Sequence, residues 1–214
     1  MRLSTVALLA AAVLASAPAF GPCAFAQLRE ANVKTVEGPR KPITDFGAVA
    51  DEKTMNTAAI QKGIDTLAAS GGGTLVVPKG TFLTGALFFK PGVNLEVEQD
   101  GVLKGSTDLK DFPQQRTRIE GHFQDWVPAM INADKCDHFR LTGKGTLDGS
   151  GAIYWAAFRS ARGAKNLDVP RPRLTFISNS DDVQVKDLHY LNSGFWNLHL
   201  YRCQDVLVEG IDIH

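Results

Sequence analysis

Net charge is the first thing this sequence lacks: Lys plus Arg number 23 and Asp plus Glu number 23 in 214 residues. That balance gives no support for a protein that coats a polyanion or binds nucleic acid. Cysteine is scarce as well, with three in the chain, too few for a disulfide scaffold. Apolar runs are short, and none reaches the ~20 residues that cross a bilayer. No Cys/His spacing points to zinc, no Asp-x-Asp-x-Asp-Gly to a calcium loop, and no Gly-x-Ser-x-Gly to a serine hydrolase. The expectation is therefore no metal and no cofactor.

What is present begins with a leader. Met1-Arg2 is basic, Val6 to Ala15 is apolar, and Ala24-Phe25-Ala26 offers a small-x-small cleavage site before Gln27. This pattern predicts a secretory signal peptide over 1–26, with a buried N-terminal helix as the plain alternative. Residues 27–42 are polar and rich in Lys, Arg and Pro, and read as an extended lead-in. Residues 43–214 then form one domain of ordinary globular composition, 44% of the whole chain being hydrophobic and 21% charged.

The domain is organised by a repeat. Asp182 to Tyr190 (DVQVKDLHY) is echoed by Asp205 to Ile213 (DVLVEGIDI), an offset of 205 − 182 = 23. Val183 falls on Val206, Val185 on Val208, Leu188 on Ile211 and Tyr190 on Ile213. Alternation at period two is strand language. A repeat of this length is solenoid language, because one unit cannot bury its apolar face without a neighbour. Further back, Leu95 and Val97 are expected to align with Phe139 and Leu141, and those with Val183 and Val185, each at an offset of 44. Each 44 is read as one coil plus an insertion, at 105–127 and 150–172, both without alternation and expected as long loops. Leu95, Phe139, Val183 and Val206 should then form one inward stack.

Earlier elements fit the same scheme. Ile43 to Ala50 reads as a short strand and turn. Asn56 is a plausible N-cap for a helix over Thr57 to Ala69, with Ile60, Ile64 and Leu67 at helical spacing. That helix is expected to lid the open apolar end of the solenoid. Gly71 to Gly73 follow the helix rather than precede one, so they make a poor phosphate cradle. Short strands at Thr74–Val77, Thr81–Leu83, Ala86–Phe89 and Val93–Val97 come next, without two-residue hairpin turns of the Asn-Gly kind between them. Cys136 and Cys203 fall two coils apart, about 9.5 Å at strand spacing, beyond the ~7 Å reach of a disulfide. Two free, buried thiols are expected.

Several stretches resemble the N-terminal portion of family 28 glycoside hydrolases, the polygalacturonase-like pectinases. They are Ile43-Thr-Asp-Phe-Gly-Ala-Val, Asn56-Thr-Ala-Ala-Ile-Gln, Gly71-Gly-Gly-Thr-Leu-Val-Val-Pro and Gly80-Thr-Phe-Leu-Thr-Gly. Gly145-Thr-Leu-Asp-Gly, Arg171-Pro-Arg-Leu and Asn192-Ser-Gly-Phe-Trp-Asn-Leu-His199 complete the set. The resemblance implies a right-handed parallel β-helix and inverting hydrolysis of galacturonan-type pectic polymers. With the N-terminal capping α-helix and the leader read above, the expectation is a secreted or periplasmic enzyme, a monomer in its full-length form. The family's catalytic elements are an Asn-Thr-Asp, an Asp-Asp pair, a His-Gly and an Arg-x-Lys. They follow the segment that ends here at His214, so catalytic residues are expected beyond His214 and none is assigned within the chain. Asp181-Asp182 is an Asp-Asp pair, but it falls in a turn two coils too early. The reading is thus the first part of a β-helix, truncated at its C-terminal end, inactive alone and poorly soluble through an uncapped edge. The alternative is a non-catalytic β-helix binding or adhesion module, or a degenerate remnant.

Four residues are the candidates for substrate contact: Trp196, His199, Arg116 and Arg118. A Trp ring stacks on sugar faces, and Arg grips carboxylates bidentately. Core or turn packing is the plainer explanation of Trp196 and His199. A solvated loop explains the arginines equally, together with His122 and Trp126 in the first insertion and Arg159, Arg162 and Lys165 in the second. His189 over Asp212, 23 apart, could do acid–base work or be a stacked polar pair on the solvent face.

Overall fold

The computed structural model describes residues 38–214. The leader and nearly all of the lead-in lie outside the described residues.

Among the described residues run seventeen strands: β1 Arg40–Pro42, β2 Gly73–Val77, β3 Gly80–Thr84, β4 Leu87–Phe89, β5 Val93–Val97, β6 Gly101–Gly105, β7 Gln115–Ile119, β8 His122–Trp126 and β9 Ile131–Asp134. They continue with β10 Arg140–Gly143, β11 Thr146–Asp148, β12 Thr175–Ser178, β13 Asp181–Lys186, β14 His189–Leu191, β15 Leu198–Tyr201, β16 Gln204–Glu209 and β17 Asp212–Ile213. The helices are α1 (Thr57–Ala69) and α2 (Ala152–Ser160). Each complete coil contributes one strand to each of three parallel sheets. Sheet A stacks β1-β2-β5-β10-β13-β16, sheet B β3-β6-β11-β14-β17 and sheet C β4-β9-β12-β15. This is a right-handed parallel β-helix, the solenoid that the repeat predicts with the form that the resemblance implies.

The inward rungs pair across coils. Val183 pairs with Val206 and Val185 with Val208, and Tyr190 pairs with Ile213. Leu75, Leu95, Leu141 and Val185 form one continuous column. Each fully buried rung contributes about 1.5–3 kcal/mol. One register differs from expectation: Leu95 pairs with Leu141, and Val97 with Gly143, not with Phe139 and Leu141. A slip of two keeps every side chain on its own face, so alternation alone cannot detect it. The column of Phe139, Val183 and Val206 is therefore continued by Val93 rather than Leu95.

The corners stack too. Lys135, Asn179 and Arg202 have φ near +50°, at 54°, 49° and 52°. So do His138, Asp182 and Asp205, at 62°, 55° and 50°. Asn and Asp tolerate this left-handed conformation better than most residues, and they recur at these corners.

Other departures are local. Arg40–Pro42 is a strand pairing with β2, inside the stretch read as lead-in. Ile43–Phe46 is a 3-10 turn rather than a strand, closed by Gly47 at φ 98°, whose N–H donates to Ile43 and Thr44 carbonyls. Asn56 does occupy the N-cap position of α1 but its side chain does not cap. It is buried and bonds Val49 N–H and the carbonyls of Val49, Thr54 and Leu83. α1 buries Ile60, Ile64 and Leu67 against the first coils, as expected.

The two insertions are not loops. The first holds the antiparallel β7–β8 hairpin, turned by Glu120 and Gly121 at φ 43° and 91°, a two-residue turn with both φ positive. The second holds α2, a second α-helix among the described residues besides the capping one. Both insertions leave after a sheet-B strand and return into a sheet-C strand. They therefore emerge at the same corner, one coil apart. Tyr154 of α2 bonds the Ser106 carbonyl at 2.7 Å, and Trp155 bonds the Ser193 carbonyl at 2.8 Å. Cys136 and Cys203 are both free thiols; Cys136 is buried, Cys203 only partly so.

Candidate active-site groove

Sheet C turns alternate side chains outward. Phe88, Asn132, Phe176 and His199 form one outward column. Asp134, Ser178 and Tyr201 form the next. The β7–β8 hairpin rises beside these columns and encloses a groove of about 410 Å³. Arg116, Thr117, Arg118 and Phe123 come from the hairpin; Asn132, Asp134, Phe176 and Tyr201 come from the sheet.

The groove is cationic. Arg116, Arg118 and Arg202 line it against one carboxylate, Asp134. Asp134 already accepts from Ser178 Oγ at 2.6 Å and Asn179 Nδ2 at 2.7 Å. Arg118 lies 4.5 Å above the Tyr201 ring and 5.5 Å from the Phe123 ring. Those two rings meet edge-on at 6.1 Å, although Phe123 is 51% exposed. Stacking of this kind contributes roughly 0.5–2 kcal/mol and leaves the guanidinium edge free to meet an anion.

Of the four candidates read from sequence, Arg116 and Arg118 line the groove, whereas Trp196 and His199 pack beside it. Trp196 stacks on Phe195, with centroids 4.9 Å apart, and meets His199 edge-on at 4.8 Å. His199 is held well below the ordinary imidazole value, at about 4, by burial and by the charges of Arg173 and Arg118. Trp126 is core, because alternation along β8 turns it inward, so it cannot meet a ligand. His122, Arg159, Arg162 and Lys165 are exposed and do not line the groove.

The two carboxylate candidates noted in the sequence, Asp182 and Asp212, lie outside the groove. Asp182 is bonded by His138 at 2.8 Å and Arg140 at 2.7 Å. Burial opposes its ionisation, but these two partners hold it below the usual carboxylate range. The Asp-Asp pair thus serves the corner between sheets C and A. His189 and Asp212 do stack, at 3.3 Å, and His214 joins at 3.0 Å. This exposed cluster is on sheet B, not in the groove. Among the described residues, no group of three or more His, Cys, Asp and Glu side chains could hold a metal ion.

Two groups escaped sequence reasoning. Phe123 and Tyr201 gave no signal beyond being aromatic. Arg171 and Arg173 were visible as a motif, but their burial was not. Arg171 is buried between the rings of Phe158 and Phe195, at 4.1 and 4.6 Å. It also bonds Asn166, whose amide donates to Glu120 at the hairpin turn.

The family model for glycosyl hydrolases family 28 matches residues 68–214. A probable polygalacturonase of Vitis vinifera is 30% identical over 97% of this chain and 44% of its own length. An exo-poly-alpha-D-galacturonosidase of Dickeya chrysanthemi is 37% identical over 64% of this chain and 23% of its own length. The crystal structure of a hyperthermoactive exopolygalacturonase from Thermotoga maritima superposes with a TM-score of 0.75, at 24% identity, over 88% of this chain and 50% of that one. The chain spans less than half the length of these curated relatives.

Proposed function

This chain belongs to glycosyl hydrolases family 28, and from that premise we propose that it is part of a secreted enzyme that hydrolyses galacturonan-type pectic polymers. The groove on sheet C binds the acidic sugar units. The inverting acid and base, which stand about 6.5–9.5 Å apart across a water, come from coils that follow His214. The observation that carries this reading is the charge of the groove: Arg116, Arg118 and Arg202 face one engaged carboxylate, beside open aromatic surface. A uronate polymer offers one carboxylate per sugar, and guanidinium groups match it in charge and geometry.

The test is calorimetric titration of the chain with oligogalacturonate and with its fully methyl-esterified form. Binding should appear for the acid, weaken with salt and fall at least tenfold in Arg118→Gln. Equal binding of acid and ester would refute the uronate assignment. The chain alone should release no reducing sugar from polygalacturonate, and release by the purified chain would place the catalytic residues within it. In the alternative, a non-catalytic binding module, the groove keeps its ligand, but the coding DNA past His214 encodes neither Asn-Thr-Asp nor a following Asp-Asp.

A further inference from the structure

Arg173 is 1% exposed. Burial lowers its pKa to about 10, so the guanidinium stays cationic at neutral pH. Among the described residues no carboxylate lies at ion-pair distance from it. A buried cation is costly unless its donors are satisfied. Nη1 reaches the Arg118 carbonyl at 2.9 Å and His199 Nδ1 at 2.8 Å, and Nη2 reaches Thr117 Oγ1 at 3.0 Å. The Phe176 ring lies 4.2 Å beneath. Thr117 and Arg118 belong to the hairpin, inserted one coil before Arg173. His199 belongs to β15, one coil after it. One side chain therefore ties together three coils. Arg171, two residues earlier and itself in the second insertion, reaches the hairpin turn through Asn166.

A guanidinium has five donors and no acceptor. Its contact with Nδ1 of His199 requires a lone pair there, so the ring proton sits on Nε2. We propose that Arg173 is the positioning residue of the groove: it sets the hairpin bearing Arg116 and Arg118 against sheet C and fixes His199 as the Nε2–H tautomer. His199 is then a neutral hydrogen-bond donor, not an acid–base group. The charged groups acting on it are Arg173 and Arg118; Trp196 and Phe176 complete its surroundings without charge. Asp134, the carboxylate on this face, is one column over and engaged by Ser178 and Asn179. The clamp and the tautomer hold whatever ligand the groove takes.

Long-range 1H–15N correlation of the labelled chain tests this, with His199 assigned by its loss in His199→Asn. The expected spectrum has an unprotonated Nδ1, a protonated Nε2 and no titration above about pH 5. A protonated Nδ1, or a midpoint near 6.5, would overturn the proposal. In Arg173→Met the midpoint should rise from about 4 towards 6.5, and amides of 115–126 should exchange at least tenfold faster. A folded Arg173→Met with unchanged titration and exchange would also overturn it. If that variant does not fold, the wild-type spectrum decides alone. No ligand is in the tube, so failure of oligogalacturonate binding is a separate result.

Discussion

The backbone N–H of Cys136 donates to Ser180 Oγ at 2.9 Å. Ser180 stands 44 residues after Cys136 and 23 before Cys203, so it occupies the rung between the two thiols. Burial pushes the Cys136 thiol up to about 11, whereas Cys203 is only partly covered. A thiol reagent at pH 8 should modify Cys203 on the native protein and reach Cys136 only as the chain unfolds. Equal native rates at the two positions, read by mass spectrometry, would contradict this burial.

His199 should give stability an acid-side slope. Its folded pKa of about 4 is below the unfolded value of 6.5, so between those values the unfolded chain binds more protons. Stability is then complete above pH 6.5 and declines as pH falls to 4. The decline attributable to this ring is on the order of 2 kcal/mol after allowing for partial exposure. Denaturant midpoints at pH 7 and 4.5 should differ less in His199→Asn than in the parent. An unchanged difference would mean the ring is not buried neutral.

Val183 is fully buried and pairs with Val206. Val183→Asp puts an unpaired carboxylate into the apolar column, at a cost of 4 kcal/mol or more, at the top of the single-substitution range. No cooperative thermal transition should remain by circular dichroism. A soluble variant with a normal melt would contradict the register.

Asn56→Ala removes a side chain that bonds four backbone groups. The groups left unsatisfied should cost about 2–3 kcal/mol. Asn56→Ser, a side-chain cap as good as Asn by propensity, should not recover the loss, because the groups served lie at Val49, Thr54 and Leu83 rather than in the first turn of α1. Full recovery in chemical denaturation would restore the capping role.

The winding of the chain was legible because its signal is local and periodic: Val183, Val185 and Tyr190 repeat 23 residues on, and the structure pairs each with its echo. The Leu95 register was two residues off because alternation is blind to even shifts. The hairpin was missed because its turn is Glu120-Gly121, not Asn-Gly or Asp-Gly. α2 was missed because it is short, 9 residues with one buried side chain, Tyr154, so it shows little apolar stripe. In the groove, Arg116 and Arg118 could be named from their insertion alone. Arg173 could not, since its burial comes from a hairpin that folds back from an earlier coil.

Both excursions leave and rejoin the helix at one corner. The spacing between rungs is therefore indifferent to how long each excursion is, and sequence can be gained or lost there without disturbing the column inside. Ligand choice is thus written largely in the outward residues of the excursions. Exchanging 115–126 for a hairpin that keeps the buried Thr117, Ile119 and Trp126 should retune what the surface accepts while leaving the scaffold's melting behaviour almost unmoved.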